Sequence, residues 1–147
     1  MALSGELTAT VKRDGKVISS RTYKNLVMLA PRSVFLEPLT EATPQSIVIS
    51  HFAVGSGNTP PVETETQLVN ETARVQKISL AKSDNVVTAS AVFTAGTATG
   101  QNNEAGIFGA ATITPDSGIL ISRVLIDELV DELDSLFLDW KFTLVNS

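Results

Sequence analysis

Two carboxylates in the chain have the residue type that glycoside hydrolysis requires. Glu71 lies three residues before Arg74, and Glu104 lies two residues before Gly106 at the start of an apolar segment. A glycosidase needs two such carboxylates on either side of the scissile bond. The sequence gives no reason for Glu71 and Glu104 to meet, and one Trp and one Tyr do not favour a sugar-binding platform. We therefore predict no catalytic residue and keep a glycan hydrolase as the lesser alternative.

A glycine-rich turn at residues 55–61, Gly-Ser-Gly-Asn-Thr-Pro-Pro, has a composition that can hold a phosphate. It lacks the lysine of a P-loop and the third glycine of a dinucleotide-binding fingerprint. Pro60 and Pro61 also remove two backbone N–H donors. The segment therefore indicates a rigid structural turn, and we predict no cofactor-binding residues and no cofactor.

His51 is the single histidine, and the chain has no cysteine. On a strand His51 points to the same side as Ile49 and Ala53. A general base needs a positioned nucleophile or carboxylate, which the sequence does not indicate here. We predict a core or interface histidine. Without cysteine, disulfides and the usual zinc sites are excluded, so no metal site is predicted from these residue types.

The densest run of charge is acidic and comprises Asp127, Glu128, Asp131, Glu132 and Asp134. Hard cations prefer such oxygen ligands, but Leu129, Val130 and Leu133 interrupt the run, so the spacing does not match an EF-hand loop. A solvated acidic connection between two strands is the main interpretation. A cation site, and a docking surface for a basic patch on a partner, remain alternatives.

Length and composition exclude several classes of function. With 147 residues the chain predicts one domain, 1–147, with one core. A net charge of −5 gives no basic field for nucleic acid or for a membrane surface. No apolar run approaches the length of a membrane span, and the N-terminus has no signal-peptide pattern, so we expect a soluble product made in the cytosol. The charged fraction of 18% favours a surface partly covered by oligomerisation.

Period-two alternation and turn residues predict most of the chain as strands. The predicted elements in the first half are a hairpin over residues 7–23 around Asp14-Gly15, a short helix at 31–37 ended by Pro38, a central strand at 47–54, and a capped helical stretch at 64–72. The spacing of Glu71 and Arg74 would let them pair on a helical face. In the second half they are a hairpin of 75–81 and 86–93, a flexible loop at 95–103, a turn at 115–118, and strands at 119–126 and 136–145.

These elements predict a mainly β, single-domain antiparallel β-sandwich or barrel-like fold of about seven or eight strands, with one or two short helices. Little of the sequence has helical periodicity. The segment around residues 47–54 is apolar on both faces, which is typical of a strand buried between two layers.

Several short motifs, in a fixed order, resemble a family of small structural proteins of tailed-phage particles. They are also similar to the particle-proximal N-terminal domain of phage tail-collar fibre proteins. The motifs cover nearly the whole chain: Asn-Leu-Val at 25–27, Phe-Ala-Val-Gly-Ser-Gly-Asn-Thr-Pro-Pro at 52–61, Thr66, Leu68, Glu71 and Arg74 in their spacing, Glu-Ala-Gly-Ile-Phe at 104–108, Ser122-Arg123, and Trp-Lys-Phe-Thr-Leu at 140–144.

The resemblance implies a virion component without catalysis, assembled in the host cytoplasm as a homo-oligomer, with a trimer favoured, and bound to other virion proteins. The shaft that follows such a domain in fibre proteins does not follow here. A docking or adaptor role in the tail or fibre-attachment region is therefore expected. A capsid decoration, or cement, protein is the alternative.

Overall fold

The computed structural model describes residues 2–145 and has a mainly β architecture, as predicted. One short α-helix, α1, spans Leu29–Val34, and a 3-10 turn spans Glu37–Leu39. The strands are β1 Ala2–Arg13, β2 Lys16–Val27, β3 Ile49–Gly55, β4 Glu71–Gln76, β5 Ser79–Ser83, β6 Val86–Phe93, β7 Gly100–Gly109, β8 Ile119–Val130 and β9 Asp134–Val145.

The strands form one antiparallel hydrogen-bonded order, β4-β3-β7-β8-β2-β1-β9-β6-β5, which folds into two sheets. Sheet A contains β5, β6, β9, β1 and most of β2, and sheet B contains β4, β3, β7 and β8. The end of β2 joins the sheets, because Leu26 and Val27 leave β1 and pair with Arg123 and Ser122 of β8. The predicted sandwich is confirmed, and the nine strands slightly exceed the predicted seven or eight.

The main core lies between the sheets and follows the predicted alternation. Leu136, Leu138, Trp140 and Phe142 of β9 all point inward and are buried. The Trp140 ring meets Phe52 of sheet B edge-on, with ring centroids 6.0 Å apart. Burial of aromatic and aliphatic side chains on both inner faces is what holds such a sandwich together.

A second, smaller core covers the outer face of sheet B. It consists of Met28, Ala53, Leu68, Phe108 and Leu120. Strand β3 is therefore buried on both faces, which confirms the prediction from its apolar pattern.

The first hairpin is confirmed at the predicted turn. Asp14 and Gly15 have φ values of 51° and 75°, and positive φ at both central residues is the requirement of the tight turn that matches strand twist. The hairpin at Asp84 is also confirmed, with β5 pairing with β6.

Both predicted helices differ from the structure. The first begins at Leu29, and Pro31 is its third residue, where a missing N–H has no intrahelical partner to lose. Pro38 lies inside the 3-10 turn and does not end the helix. The prediction of a helix over 64–72 is wrong, because residues 56–70 form an irregular loop, hereafter the β3–β4 loop, and β4 begins at Glu71.

Three strand boundaries also need correction. Residues 75–81 are divided between β4 and β5, which belong to different sheets, because the chain crosses from one sheet to the other at Lys77 and Ile78. The predicted loop at 95–103 is shorter, since β7 begins at Gly100 and Asn102 is buried. Strand β8 continues to Val130, so only residues 131–133 connect it to β9.

Candidate functional site

Glu104 lies at the centre of a buried polar cluster beneath the β3–β4 loop. Its side chain is fully buried. Oε1 accepts hydrogen bonds from the backbone amides of Gly57 at 3.0 Å and Asn70 at 2.8 Å, and Oε2 accepts one from Val69 at 3.0 Å. A carboxylate with several backbone donors takes over the role that a helix or sheet would otherwise have for those amides. The amides of Val69 and Asn70 are thereby taken from the hydrogen bonds that the predicted helix at 64–72 would need.

Arg123 of β8 balances the charge of Glu104. Its Nε donates to Glu104 Oε2 at 2.7 Å, and Nη1 donates to Glu65 Oε2 at 3.2 Å. The pairing follows from the strand register. Gly106 of β7 is opposite Arg123 of β8, and Glu104, two residues before Gly106, lies on the same face of β7 and therefore diagonally across from Arg123. Arg123 is fully buried, and its Nη2 has no hydrogen-bond partner within residues 2–145.

Gly57 has to be glycine because the loop passes so close to Glu104. A Cβ atom at position 57 would lie 2.7 Å from Glu104 Oε1. The glycine-rich turn is therefore used to hold a protein carboxylate, which agrees with the prediction of a structural turn.

A second buried ion pair joins Glu71 and Arg74, as the sequence predicted, but on a strand and not on a helix. Arg74 Nη2 donates to Glu71 Oε1 at 2.9 Å, and Nη1 donates to the carbonyl oxygens of Thr112 and Ser117 at 3.0 and 2.9 Å. The guanidinium also lies over the Phe108 ring at 4.3 Å. Arg74 thereby fixes the turn at residues 110–118 against sheet B.

Glu71 and Glu104 are brought onto strands that flank Gly55, but they do not face each other across a cleft. Gly55 pairs with Glu71 on one side and with Glu104 on the other. Each carboxylate accepts from its own arginine and from backbone amides. The arrangement is that of two structural ion pairs, whereas a glycosidase places its two carboxylates on either side of the scissile bond.

His51 is buried on β3. Its Nδ1 lies 3.0 Å from Ser50 Oγ. Burial lowers the pKa of His51, and the nearby charges of Arg74 and Lys77 lower it further. The side chain is a buried histidine with an ordinary hydrogen-bond partner, as predicted.

The acidic residues are divided between two strands and the turn that joins them. Arg13 at the end of β1 contacts both Asp131 and Asp134 at 2.7 Å. Its hydrogen bonds hold the pKa of Asp134 below the usual range. Within residues 2–145 no group of three His, Asp or Glu side chains is arranged to hold a metal ion.

Glu128 lies on β8, on the face that points into the sandwich, and is buried. It accepts a hydrogen bond from the Tyr23 hydroxyl at 3.0 Å. Burial raises the pKa of Glu128, which the hydrogen bond only partly offsets. Tyr23 Oη in turn accepts from the Asp127 amide at 3.1 Å, and Arg21 donates to the Asp127 carbonyl at 2.7 Å. These side chains satisfy the backbone where β2 and β8 separate.

An apolar groove opens at the end of the sandwich where β5 and the start of β3 separate. It has a volume of about 720 Å³. Its walls are mainly aliphatic and aromatic side chains from β5, from β9, from the residue after α1 and from the segment just before β3, including Phe35, Ile47, Val48, Leu80, Phe142 and Leu144. Sequence patterns did not predict this groove, because its residues come from separate elements and each one fits an ordinary core pattern.

The groove lies beside an uncovered strand. Among the described strands β5 is at one end of the sheet order, and all five of its residues are exposed. Leu80 and Lys82 pair with Ala89 and Val87 of β6. They therefore lie on the inner face of sheet A, where the other sheet does not cover them.

Among residues 2–145 no helix is long and apolar enough to cross a membrane. In comparisons with known proteins, no family model, no curated protein and no solved structure matched this chain.

Proposed function

We propose that the protein is a non-enzymatic structural component on the exterior of a tailed-phage virion, where it docks as an adaptor in the tail or fibre-attachment region. It acts as a homo-oligomer, for which the resemblance favours a trimer, and binds other virion proteins without a cofactor. Neither nucleic acid nor membrane is among its partners.

One observation carries the proposal. Four charged residues of the motifs that resemble phage particle proteins, Glu71, Arg74, Glu104 and Arg123, form the two buried ion pairs that fix the loops on sheet B. Motif residues of this kind support a role in shaping the domain. A chain without cysteine whose loops are held in one arrangement in this way suits a component that is repeated around a particle.

The apolar groove and the free strand β5 support the docking part of the proposal. Exposed apolar surface next to an unpaired strand edge is typical of a surface that becomes covered on assembly. The outer face of sheet A, by contrast, carries hydroxyl pairs such as Thr8 with Thr22.

Copy number in purified particles tests the proposal and separates it from its alternative. We expect about a dozen copies per particle by gel densitometry, as for a component of the tail region. Hundreds of copies would exclude the tail region and indicate a capsid decoration protein. Absence of the chain from purified particles would overturn both.

A further inference from the structure

We propose that β5 and the apolar groove together bind one extended strand of another virion protein, which presents an acidic side chain to Lys82 and a large apolar side chain to the groove. The inference rests on the docking part of the proposed function and names the chemistry of the partner. Each copy of the chain binds one such strand, so the inference is compatible with a trimer and with any other symmetry.

The free edge of β5 provides the main-chain part of the site. Among the described strands β5 is at one end of the sheet order, and all five of its residues are exposed. The N–H and C=O groups along such an edge pair readily with an added strand, which is a common way to recognise an extended peptide. The strand contains no proline that would interrupt this pairing.

The groove provides a pocket for a side chain of the added strand. Its volume of about 720 Å³ lies within the range of roughly 300–1,000 Å³ that is typical of sites for small ligands. Four of its large apolar side chains are 40–61% exposed, namely Phe35, Val48, Leu80 and Leu144. They supply only a fraction of the ~800 Å² that each partner buries in a stable interface between domains. The groove therefore fits one or two inserted side chains better than the face of a second domain.

Leu80 and Lys82 determine which side chains of an added strand point into the groove. Both line the groove, and they lie on the inner face of sheet A, opposite Ala89 and Val87 of β6. Directly opposite side chains of an antiparallel pair share a face and have Cβ atoms about 4.5–5.5 Å apart. The two residues of the added strand opposite Leu80 and Lys82 therefore face the groove and are two positions apart in its sequence.

Lys82 gives the site its preference for an acidic partner. Within residues 2–145 no carboxylate forms an ion pair with its ammonium group, although Asp84 lines the same end of the groove. A carboxylate opposite Lys82 would be attracted, whereas a basic side chain there would be repelled. Strand β5 itself contains no acidic residue, so a second copy of β5 would not supply one. The expected partner sequence, read antiparallel to β5, is an acidic residue, any residue, and a large apolar residue.

Peptide titration of the full chain, followed by NMR, tests the site. The probe is a peptide with blocked ends, Ser-Thr-Glu-Thr-Phe-Thr-Ser, and its control has lysine in place of glutamate. We expect the amide signals of Ser79–Ser83 to shift. Amide protons on the free edge should also exchange more slowly, because the bound strand accepts their hydrogen bonds. The lysine peptide should bind about fivefold more weakly, or worse, because it places a like charge opposite Lys82.

An exchange of charges separates a specific contact from general attraction to an acidic peptide. Lys82→Glu should reverse the preference, so that the lysine peptide binds more tightly than the glutamate peptide. Lys16→Glu makes the same change at an exposed residue of β2, which three strands separate from β5, and should leave the preference unchanged. Because Lys82 is exposed, its replacement should not unfold the chain, and far-UV circular dichroism checks this for both variants.

Three results would overturn the inference. They are absence of binding at millimolar peptide, binding that leaves the exchange of the β5 amides unchanged, and equal affinities of the two peptides for the wild-type chain. The first two exclude strand addition at β5, and the third excludes Lys82 as the residue that selects the partner. Because copy number in purified particles is measured separately, failure of this inference is distinguishable from failure of the proposed virion role.

Discussion

Glu104 shows how much structure a single carboxylate can organise in a β domain. It neutralises Arg123 and accepts hydrogen bonds from amides at both ends of the β3–β4 loop. Loss of one member of a buried ion pair leaves the other charge without compensation, which is far more destabilising than loss of an exposed pair.

We predict that Glu104→Gln lowers the free energy of unfolding by about 3–5 kcal/mol. The side-chain amide has one acceptor oxygen where the carboxylate has two, and Arg123 keeps only its longer contact with Glu65. Urea denaturation gives the measurement. Glu63→Gln is the control, because its ion pair with Arg32 is about half exposed and its loss should cost ~1 kcal/mol or less. Equal losses in the two variants would contradict this account.

Glu128 should destabilise the fold at neutral pH. Its pKa is raised in the folded state. At a pH above the ordinary pKa of a glutamate, the unfolded chain therefore ionises more readily than the folded chain, which lowers the free energy of unfolding. This loss of stability disappears as the pH falls below the ordinary pKa. We predict that Glu128→Gln raises the melting temperature at pH 7 and has little effect near pH 3. The glutamine keeps an oxygen that can accept from Tyr23.

Asp134 is the opposite case, a carboxylate whose ionised form stabilises the folded chain. Because Arg13 lowers the pKa of Asp134, its contribution to stability is present at neutral pH and is lost in acid. Asp134→Asn should therefore lower the melting temperature at pH 7 and change it less near pH 3. The same pH dependence for both variants would show that burial and ion pairing have been assigned wrongly.

At the scale of elements, strands were predictable wherever alternation and a local turn specify them. The hairpin at Asp14-Gly15 and strand β9 lie close to where the sequence placed them. The prediction of a helix at 64–72 was wrong, and the amides of Val69 and Asn70 bond instead to Glu104, which is more than thirty residues away in the chain. Local propensity carries no information about such a distant acceptor.

The β8–β9 turn provides an element-scale prediction on cations. Arg13 already supplies the positive charge that a calcium ion would bring to Asp131 and Asp134. We expect neither calcium nor a chelator to shift the melting temperature. A rise that grows with calcium concentration, as binding to the folded state requires, would restore the cation-site alternative.

At the scale of the whole molecule, the two sheets depend on each other. Strand β2 takes part in both, and Trp140 of sheet A packs on Phe52 of sheet B. We predict a single cooperative unfolding transition in urea, with Trp140 fluorescence and far-UV circular dichroism changing together. Separate transitions would indicate that the sheets unfold independently.

The sequence was informative about the sandwich and uninformative about its candidate interaction surface. Inward residues such as Leu138 reveal themselves by alternation, since burial repeats along one strand. The groove has no such signature: Phe35, Val48 and Leu144 meet there only because three distant segments end at the same place. The spacing of Glu71 and Arg74 was enough to predict their pairing, but the buried partner of Glu104 could be assigned only from the strand register.

The β3–β4 loop should also differ from other irregular loops in its amide hydrogen exchange. Although residues 56–70 contain no helix or strand, Gly57, Val69 and Asn70 donate to a carboxylate that is itself buried. Their protons should exchange only when Glu104 is released, at rates closer to those of core strands than to those of exposed Thr64. A loop without regular structure would then belong to the slowly opening part of the molecule.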